Sequence, residues 1–291
     1  MAEPDYYSSL LKMTLSEADL ERYHFPRPHP FIMDKAVIFD IKNSYFTVPP
    51  GPCQRTCKRC FKVYFINSDG LPTVKEECLY HPFKLSRRKF SVYPCCQGSP
   101  TSPPCSGAPF HISKDIDPDK LDGFISTRCN TKVTAKNVYA IDCEMVCTKA
   151  GMEIASISIV NTKCELVYEA IVLPDNPVLD YLTEYSRLTE IAFVGVTMKL
   201  ADLHVKLLEL FGEQTILVGH GISSDLLYLK LFHNNIIDTM VLYGDENFVP
   251  SLAVLKERFI PPSESSQSFS KCREDAETTM KLALLRMQQQ P

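Results

Sequence analysis

No run of 18 or more apolar residues occurs in the chain, so no membrane-spanning helix is expected. The opening residues, MAEPDYYSSLLK, lack a basic start followed by an apolar stretch, so no secretory signal is expected either. Without an export signal the twelve cysteines make an odd disulfide set. Thiols in a reducing compartment read more naturally as metal ligands or core residues. No internal repeat of domain size is present. Residues 51–112 are short of aliphatic side chains, and the QGSPTSPPCSGAP stretch inside them has almost no potential for regular structure.

The content that is there suits a folded protein. At 291 residues, with 45% apolar and 23% charged side chains, the chain is long enough for one large or two modest domains with a sizeable core. The formal net charge of −4 hides an asymmetry. Residues 51–91 carry nine Lys/Arg against three Asp/Glu, whereas residues 138–288 carry twelve against twenty-one. The basic stretch suits a polyanion and the acidic half suits divalent cations, although surfaces also vary in charge without function.

Composition divides the chain into four parts. Residues 1–50 form a lead-in, where the Thr14–Glu17 spacing of a capping box predicts a short helix. The prolines of FPRPHP then block further helix, and VIFDIKNSYFTV reads as a strand or an extended strap. Residues 51–112, rich in Cys, Pro and Lys/Arg, need a staple, and zinc is the natural one. Residues 113–136 form a polar connector. Residues 137–291 alternate strand and helix patterns.

In that last part VYAIDCEMV, EIASISIVN and ELVYEAIVLP read as successive strands, and LADLHVKLLELFG as a helix ending at Gly212. TILVGHG is a short buried strand, and SSDLLYLKLF a helix with Ser223 or Ser224 as its N-cap. Asp238 and Thr239 fall in a further strand, IIDTMVLY. SLAVLKERF starts a helix at Ser251, and REDAETTMKLALLRMQ is the last and longest. The expected fold is α/β: a mixed sheet flanked by helices and preceded by a small zinc-binding module.

Asp142 and Glu144 are two apart on a strand, so both project from one face and Cys143 from the other. Two carboxylates side by side in an apolar strand are costly unless a positive charge sits between them, and a divalent cation is the simplest candidate. The alternative is a pair of acids at a solvated strand end. Asp225, after GHG, falls in the first turn of a helix, a place an Asp takes without function; beside Asp142 and Glu144 it reads as a ligand. Asp275 borders the stripe formed by positions 276, 279, 280 and 283, so it can face the sheet. Such an oxygen-rich set suits Mg²⁺ or Mn²⁺, and two such ions about 3.5–4 Å apart can activate water and stabilise the leaving oxygen of a phosphoryl displacement.

These motifs resemble the DEDDh exonuclease superfamily, and the DCEMV start resembles its Rex-type RNA exonuclease branch. FPRPHP, KEECLYH, the Cys95–Cys96 pair and LDGFIST resemble the longer members, so the likeness covers nearly the whole chain, most specifically residues 138–285. The resemblance implies a ribonuclease H-like sheet and removal of nucleotides from RNA 3′ ends. It implies that Asp142, Glu144, Asp225 and Asp275 are the catalytic metal-binding acids and that Met145 lies beside the terminal nucleotide. It also implies a general-base histidine five residues before the last Asp, but Ser270 stands there. In the related tyrosine variant the base lies four before, where this chain has Lys271. No histidine follows His233. Losing a general base typically costs on the order of 10²–10⁴-fold in rate.

Cys57-x-x-Cys60 followed by Cys78-x-x-His81 is a zinc pattern of two knuckles. Cys95, Cys96, Cys105 and His111 bring the ligands to eight, enough for two tetrahedral zinc sites. Adjacent Cys95 and Cys96 would more easily serve different ions, and Cys53 is a spare. The CLYH…CC…C…H order also resembles CHORD-type two-zinc modules. The basic LSRRKF, with Phe83 and Phe90 close by, could contact phosphates and stack on a single strand, or be a solvated loop. Three functions follow in order: a two-metal 3′–5′ exoribonuclease slowed by Ser270, a pseudonuclease that holds RNA ends, and a zinc-stabilised adaptor. The substrate kind makes the nucleus the expected compartment, ahead of the cytoplasm.

Overall fold

The computed structural model describes residues 6–44, 46–83, 85, 91–245, 249–262 and 270–289. Two short helices open it, α1 (Tyr6–Leu11) and α2 (Glu17–Arg22). The capping box of α2 lies two residues beyond the expected one: Ser16 caps the helix and Asp19 reciprocates. Thr14 is otherwise engaged, its hydroxyl donating to the Leu11 carbonyl at 2.8 Å, and the Glu17 carboxylate accepts from Arg27 Nε at 2.9 Å. Strands β1 (Arg27–Pro28) and β2 (Ala36–Val37) pair antiparallel. The expected strand across VIFDIKNSYFTV stops at Val37, and a 3₁₀ turn follows at Ile41–Asn43. Tertiary packing overrides its β propensity, because Ala36 and Ile38 enter a cluster with Ile116, Leu121 and Phe124.

The cysteine-rich segment holds two small antiparallel ribbons: β3 (Gln54–Thr56) with β4 (Val63–Phe65), and β5 (Cys78–Tyr80) with β6 (Ser106–Ala108). The basic LSRRKF stretch lies outside the described residues apart from Leu85. Strand β7 (Ile125–Ser126) belongs to the connector.

The large sheet is built from β8 (Val138–Thr148), β9 (Gly151–Val160), β10 (Leu166–Ile171), β11 (Val178–Asp180), β12 (Ile216–Gly219) and β14 (Ile236–Asp238), while β13 (Leu231–Phe232) pairs with β7 instead. Its order is β10-β9-β8-β12-β14, with β9 antiparallel to both neighbours and β12 parallel to both of its own. This is the mixed, ribonuclease H-like arrangement expected of the chain. Helices α3 (Thr183–Ser186), α4 (Leu200–Leu210), α5 (Ser223–Tyr228), α6 (Thr239–Tyr243), α7 (Leu252–Phe259) and α8 (Lys271–Gln288) complete it.

Alternation along β8 decides which helix packs where. Ile141 and Cys143 share a buried cluster with Leu203, Leu207 and Phe211 of the α4 segment and Leu226 of α5. Val138 and Ala140 face the other way, onto Ala276, Met280 and Ala283 of α8. Leu203 and Leu207 are four apart, hence on one helix face, and neither is exposed.

Two local expectations change. Neither Ser223 nor Ser224 caps α5, which has no side-chain cap. The preceding amides of Gly221 and Ile222 donate to the Asp238 carboxylate at 2.9 and 3.2 Å instead. That same Asp238 ends the strand read across IIDTMVLY, because it caps α6 and accepts from Met240 N at 2.8 Å.

Candidate metal centres and active site

Strand β8 sets Asp142 opposite Ser158 and Glu144 opposite Ser156, with a bulge between Glu144 and Met145. From the same face α8 delivers Asp275, so that ligand oxygens of Asp142, Glu144 and Asp275 lie within 4.8 Å of one another. The start of α8 is fixed on several sides. The Cys272 thiol donates to the Asp142 carbonyl at 2.8 Å. Glu274 accepts from Arg187 Nη1 at 3.2 Å and is also held by Lys256.

Asp225 stands outside that group of three. It is buried on α5, and Cys143 hydrogen-bonds to its carboxylate. Burial pushes the Asp225 carboxyl up to about 8 despite these bonds. Burial likewise holds Asp142 well above the usual carboxylate range, with Asp225 the strongest of three repelling neighbours. Burial raises Glu144 too, while Lys271 acts against the shift. Glu144 Oε1 is buried with no hydrogen-bond partner. Buried carboxyls that repel one another, with Lys271 Nζ 3.4 Å from Glu144 Oε1 as the cation beside them, fit a hard divalent ion, which would be ligated by oxygen alone. Met145 is partly buried against the core cluster of the opposite strand face.

Ser270, where the resemblance led us to expect a histidine, is the N-cap of α8, its hydroxyl accepting from Arg273 N at 3.3 Å. Three histidines of the large domain make other hydrogen bonds. His204 Nε2 meets the Leu229 carbonyl at 2.7 Å, His220 Nδ1 meets Thr239 Oγ1 at 3.0 Å, and His233 lies between Thr127 Oγ1 and the Thr215 carbonyl at 2.6 and 2.8 Å. Burial drives His233 down to about 4, so it is neutral near pH 7.

The eight Cys/His candidates fall into two groups of four: Cys57, Cys60, Cys78 and His111, and His81, Cys95, Cys96 and Cys105. Cys57 and Cys78 sulfurs are 3.6 Å apart, and Cys60 Sγ is 3.3 Å from His111 Nδ1. In the second group Cys95 and Cys96 sulfurs lie 3.7 and 3.6 Å from His81 Nδ1, and Cys105 lies 3.5 Å from Cys95. A tetrahedron of ligands about 2.3 Å from its centre has edges of about 3.8 Å, whereas a disulfide is about 2.05 Å long. The spacing therefore fits ligands around an ion. Amides of Cys60, Arg59 and Ile112 outweigh burial and bring the Cys57 thiol down to about 7, which favours the ligating thiolate.

Two pairings differ from the sequence reading. Cys78 and His81 serve different groups, since Cys78 is on β5 and a spacing of three on an extended chain sends side chains to opposite sides. Cys95 and Cys96 share one group, because Cys96 and Gln97 amides both turn back onto the Tyr93 carbonyl and Gln97 takes a left-handed φ of 57°. Cys53 joins neither group. Cys143, Cys147 and Cys272 are buried core thiols, as expected, while Cys129 is exposed.

Sequence reasoning missed how the first knuckle meets the large sheet. Arg59 is ion-paired to Asp180 on β11, with Glu184 of α3 4.0 Å away. Lys58 lies over the Tyr185 ring at 5.2 Å, and its charge reaches Glu144. The two basic residues inside Cys57-x-x-Cys60 are the signal that was available. A cavity of about 1020 Å³, lined by Arg55, Asp69, Lys149 and Glu153 among others, contains none of the four carboxylates. Among the described residues no helix is long and apolar enough to cross a membrane.

A mixed α/β sheet carrying converged carboxylates, beside two thiol groups, defines the class of site. Against known proteins the chain is 35% identical over 244 residues to the human RNA exonuclease 1 homolog, covering 81% of this chain and 20% of that protein. It is 32% identical over 295 residues to Exonuclease GOR of Pan troglodytes, covering 97% of this chain and 42% of that protein. The chain thus spans less than half the length of these curated relatives. Among solved structures the Pan2 catalytic unit of Neurospora crassa aligns with a TM-score of 0.47 and 24% identity, over 52% of this chain and 27% of that one. No protein-family model matches.

Proposed function

We propose that this chain is a 3′–5′ exoribonuclease that acts on RNA 3′ ends by hydrolysing phosphodiester bonds, slowed by the loss of its general base. The observation that carries it is the convergence of Asp142, Glu144 and Asp275, whose ligand oxygens lie within 4.8 Å of one another in a largely buried site. The names of its relatives support the substrate and the reaction class. When bound, a pair of Mg²⁺ or Mn²⁺ ions supplies water activation and charge stabilisation. Asp142, Glu144 and Asp275 would hold the ions, with Asp225 beside Asp142. The protein's own contribution to proton transfer is poor: a serine hydroxyl is a weak base near neutral pH, and the Ser270 oxygen already accepts the Arg273 amide as a helix cap. The two Cys₃His groups would each hold one structural zinc ion and so shape residues 51–112. The nucleus is the compartment this substrate suggests.

The same use of Ser270 as a cap favours a second reading, a pseudonuclease that holds RNA ends. One assay separates the two. RNA labelled at its 5′ end is incubated with the protein, Asp142→Ala and Ser270→His, with and without Mn²⁺. Slow Mn²⁺-dependent shortening that Asp142→Ala abolishes and Ser270→His accelerates supports the exonuclease. RNA left intact by every form, with binding indifferent to metal, selects the pseudonuclease. Metal analysis should find about two zinc ions per chain, and none would defeat the zinc reading.

A further inference from the structure

The Lys271 ammonium sits among the candidate ion ligands. It is hydrogen-bonded to Asp275 Oδ2 and lies 3.4 Å from Glu144 Oε1. Two of the three converging carboxylates are therefore engaged by a cation that the chain itself carries.

The helix gives Lys271 no reason to be there. It is the first residue of α8, where the macrodipole disfavours positive charge. It stands four residues before its Asp partner, the reverse of the favoured acid-then-base order. Its neighbour Glu274 already has Lys256 and Arg187. The group that holds Lys271 in place is thus the carboxylate set. Yet the fit is uneven, because the contact to Glu144 Oε1 is long at 3.4 Å while that to Asp275 is a close hydrogen bond. The Lys271 side chain is 31% exposed, so a path to solvent is open.

We infer that Lys271 is a built-in competitor of the divalent ion: its ammonium bridges Glu144 and Asp275, offsetting part of their charge, when no ion is bound and must swing out before one can enter. This rests on reading Asp142, Glu144 and Asp275 as an ion site. It adds a gate on that site, so that nuclease activity, besides lacking a base, requires a divalent concentration high enough to displace the lysine.

The test is Mn²⁺ binding to the zinc-loaded full chain, followed by calorimetry and by the electron paramagnetic resonance signal of free Mn²⁺, for the protein and its Lys271→Gln, Lys271→Arg and Asp142→Ala variants. Lys271→Gln should tighten Mn²⁺ binding on the order of tenfold or more, since it removes a unit charge from the ligands. Lys271→Arg should stay near the unaltered protein. Metal-free Lys271→Gln should melt lower and gain more from Mn²⁺. Equal Mn²⁺ affinity in the protein and in Lys271→Gln overturns the competition while the ion site stands. Equal tightening by Gln and Arg also overturns it, because shape rather than charge would then be the cause. Failure of both the protein and Lys271→Gln to bind Mn²⁺, with Asp142→Ala no different, removes the ion site and the inference with it.

Discussion

The carboxylate group is built from an eleven-residue strand inside a six-stranded sheet and the long helix packed on it, whereas the thiol groups hang on ribbons whose strands have three residues each. Around β8 the sheet is covered on both faces by buried clusters. Around Cys57 and Cys78 the buried cluster adds only Ala108. The acids were thus placed by a core that forms without them, and they strain it by mutual repulsion. The thiols have no such core, and a bound ion would serve in its stead. The same kind of motif, ligands brought together from distant sequence, therefore has opposite relations to stability in the two regions.

The sharpest way to break this contrast is to remove a ligand from each. Asp142→Ala should lose several kcal/mol of transition-state stabilisation, roughly 10³-fold in Mn²⁺-dependent trimming, while the metal-free protein melts no lower than before. A large fall in its melting temperature would show that the acid supports the fold after all. Cys78→Ala should do the reverse kind of damage: zinc content falls from about two to about one per chain, and residues 51–112 become protease-sensitive ahead of the large sheet. Loss of both regions together in a proteolysis time course would contradict their independence.

A pH titration comes next in size. Asp225 titrates near 3.8 unfolded and about 8 folded, so between those values the native state binds more protons. Metal-free stability should therefore fall as pH rises from about 4 to about 8, fully expressed only above the folded value. Asp225→Asn should flatten that slope in thermal melts, and an unchanged slope would remove Asp225 from the account. Arg59→Ala strips the Asp180 carboxylate of its partner and should cost about 1.5–3 kcal/mol in urea unfolding. No measurable cost would mean that the knuckle and β11 are not coupled. The smallest effect belongs to Ser270→Ala, which loses the cap of α8 for about 1 kcal/mol in the same measurement. A neutral result would free Ser270 for another role.

Much of the larger region was legible because period-2 and period-3.6 patterns leave their mark on the chain. VYAIDCEMV and EIASISIVN became β8 and β9, and the stripe from 276 to 283 became the buried face of α8. Errors arose where one side chain did two jobs. Asp238 caps α6 and also takes the amides before α5, which shortened a strand and left Ser223 and Ser224 without the role that sequence assigned them. In the cysteine-rich region the eight Cys/His candidates were legible but their partition into two groups was not, because it depends on where β5 and the turn after Tyr93 point the side chains.

Sequence alone supplied the candidate side chains: carboxylates in one half, thiols and imidazoles in the other, and a serine where the family resemblance led us to expect a histidine. These are properties of residue type and of spacing within single elements. Only the tertiary structure decided that Asp142, Glu144 and Asp275 meet while Asp225 stands beside them. It also decided which four ligands share each thiol group, that Ser270 is committed to a helix cap, and that Lys271 reaches into the acids. Each of these depends on contacts between elements far apart in the chain, and no local pattern encodes the distance that folding closes.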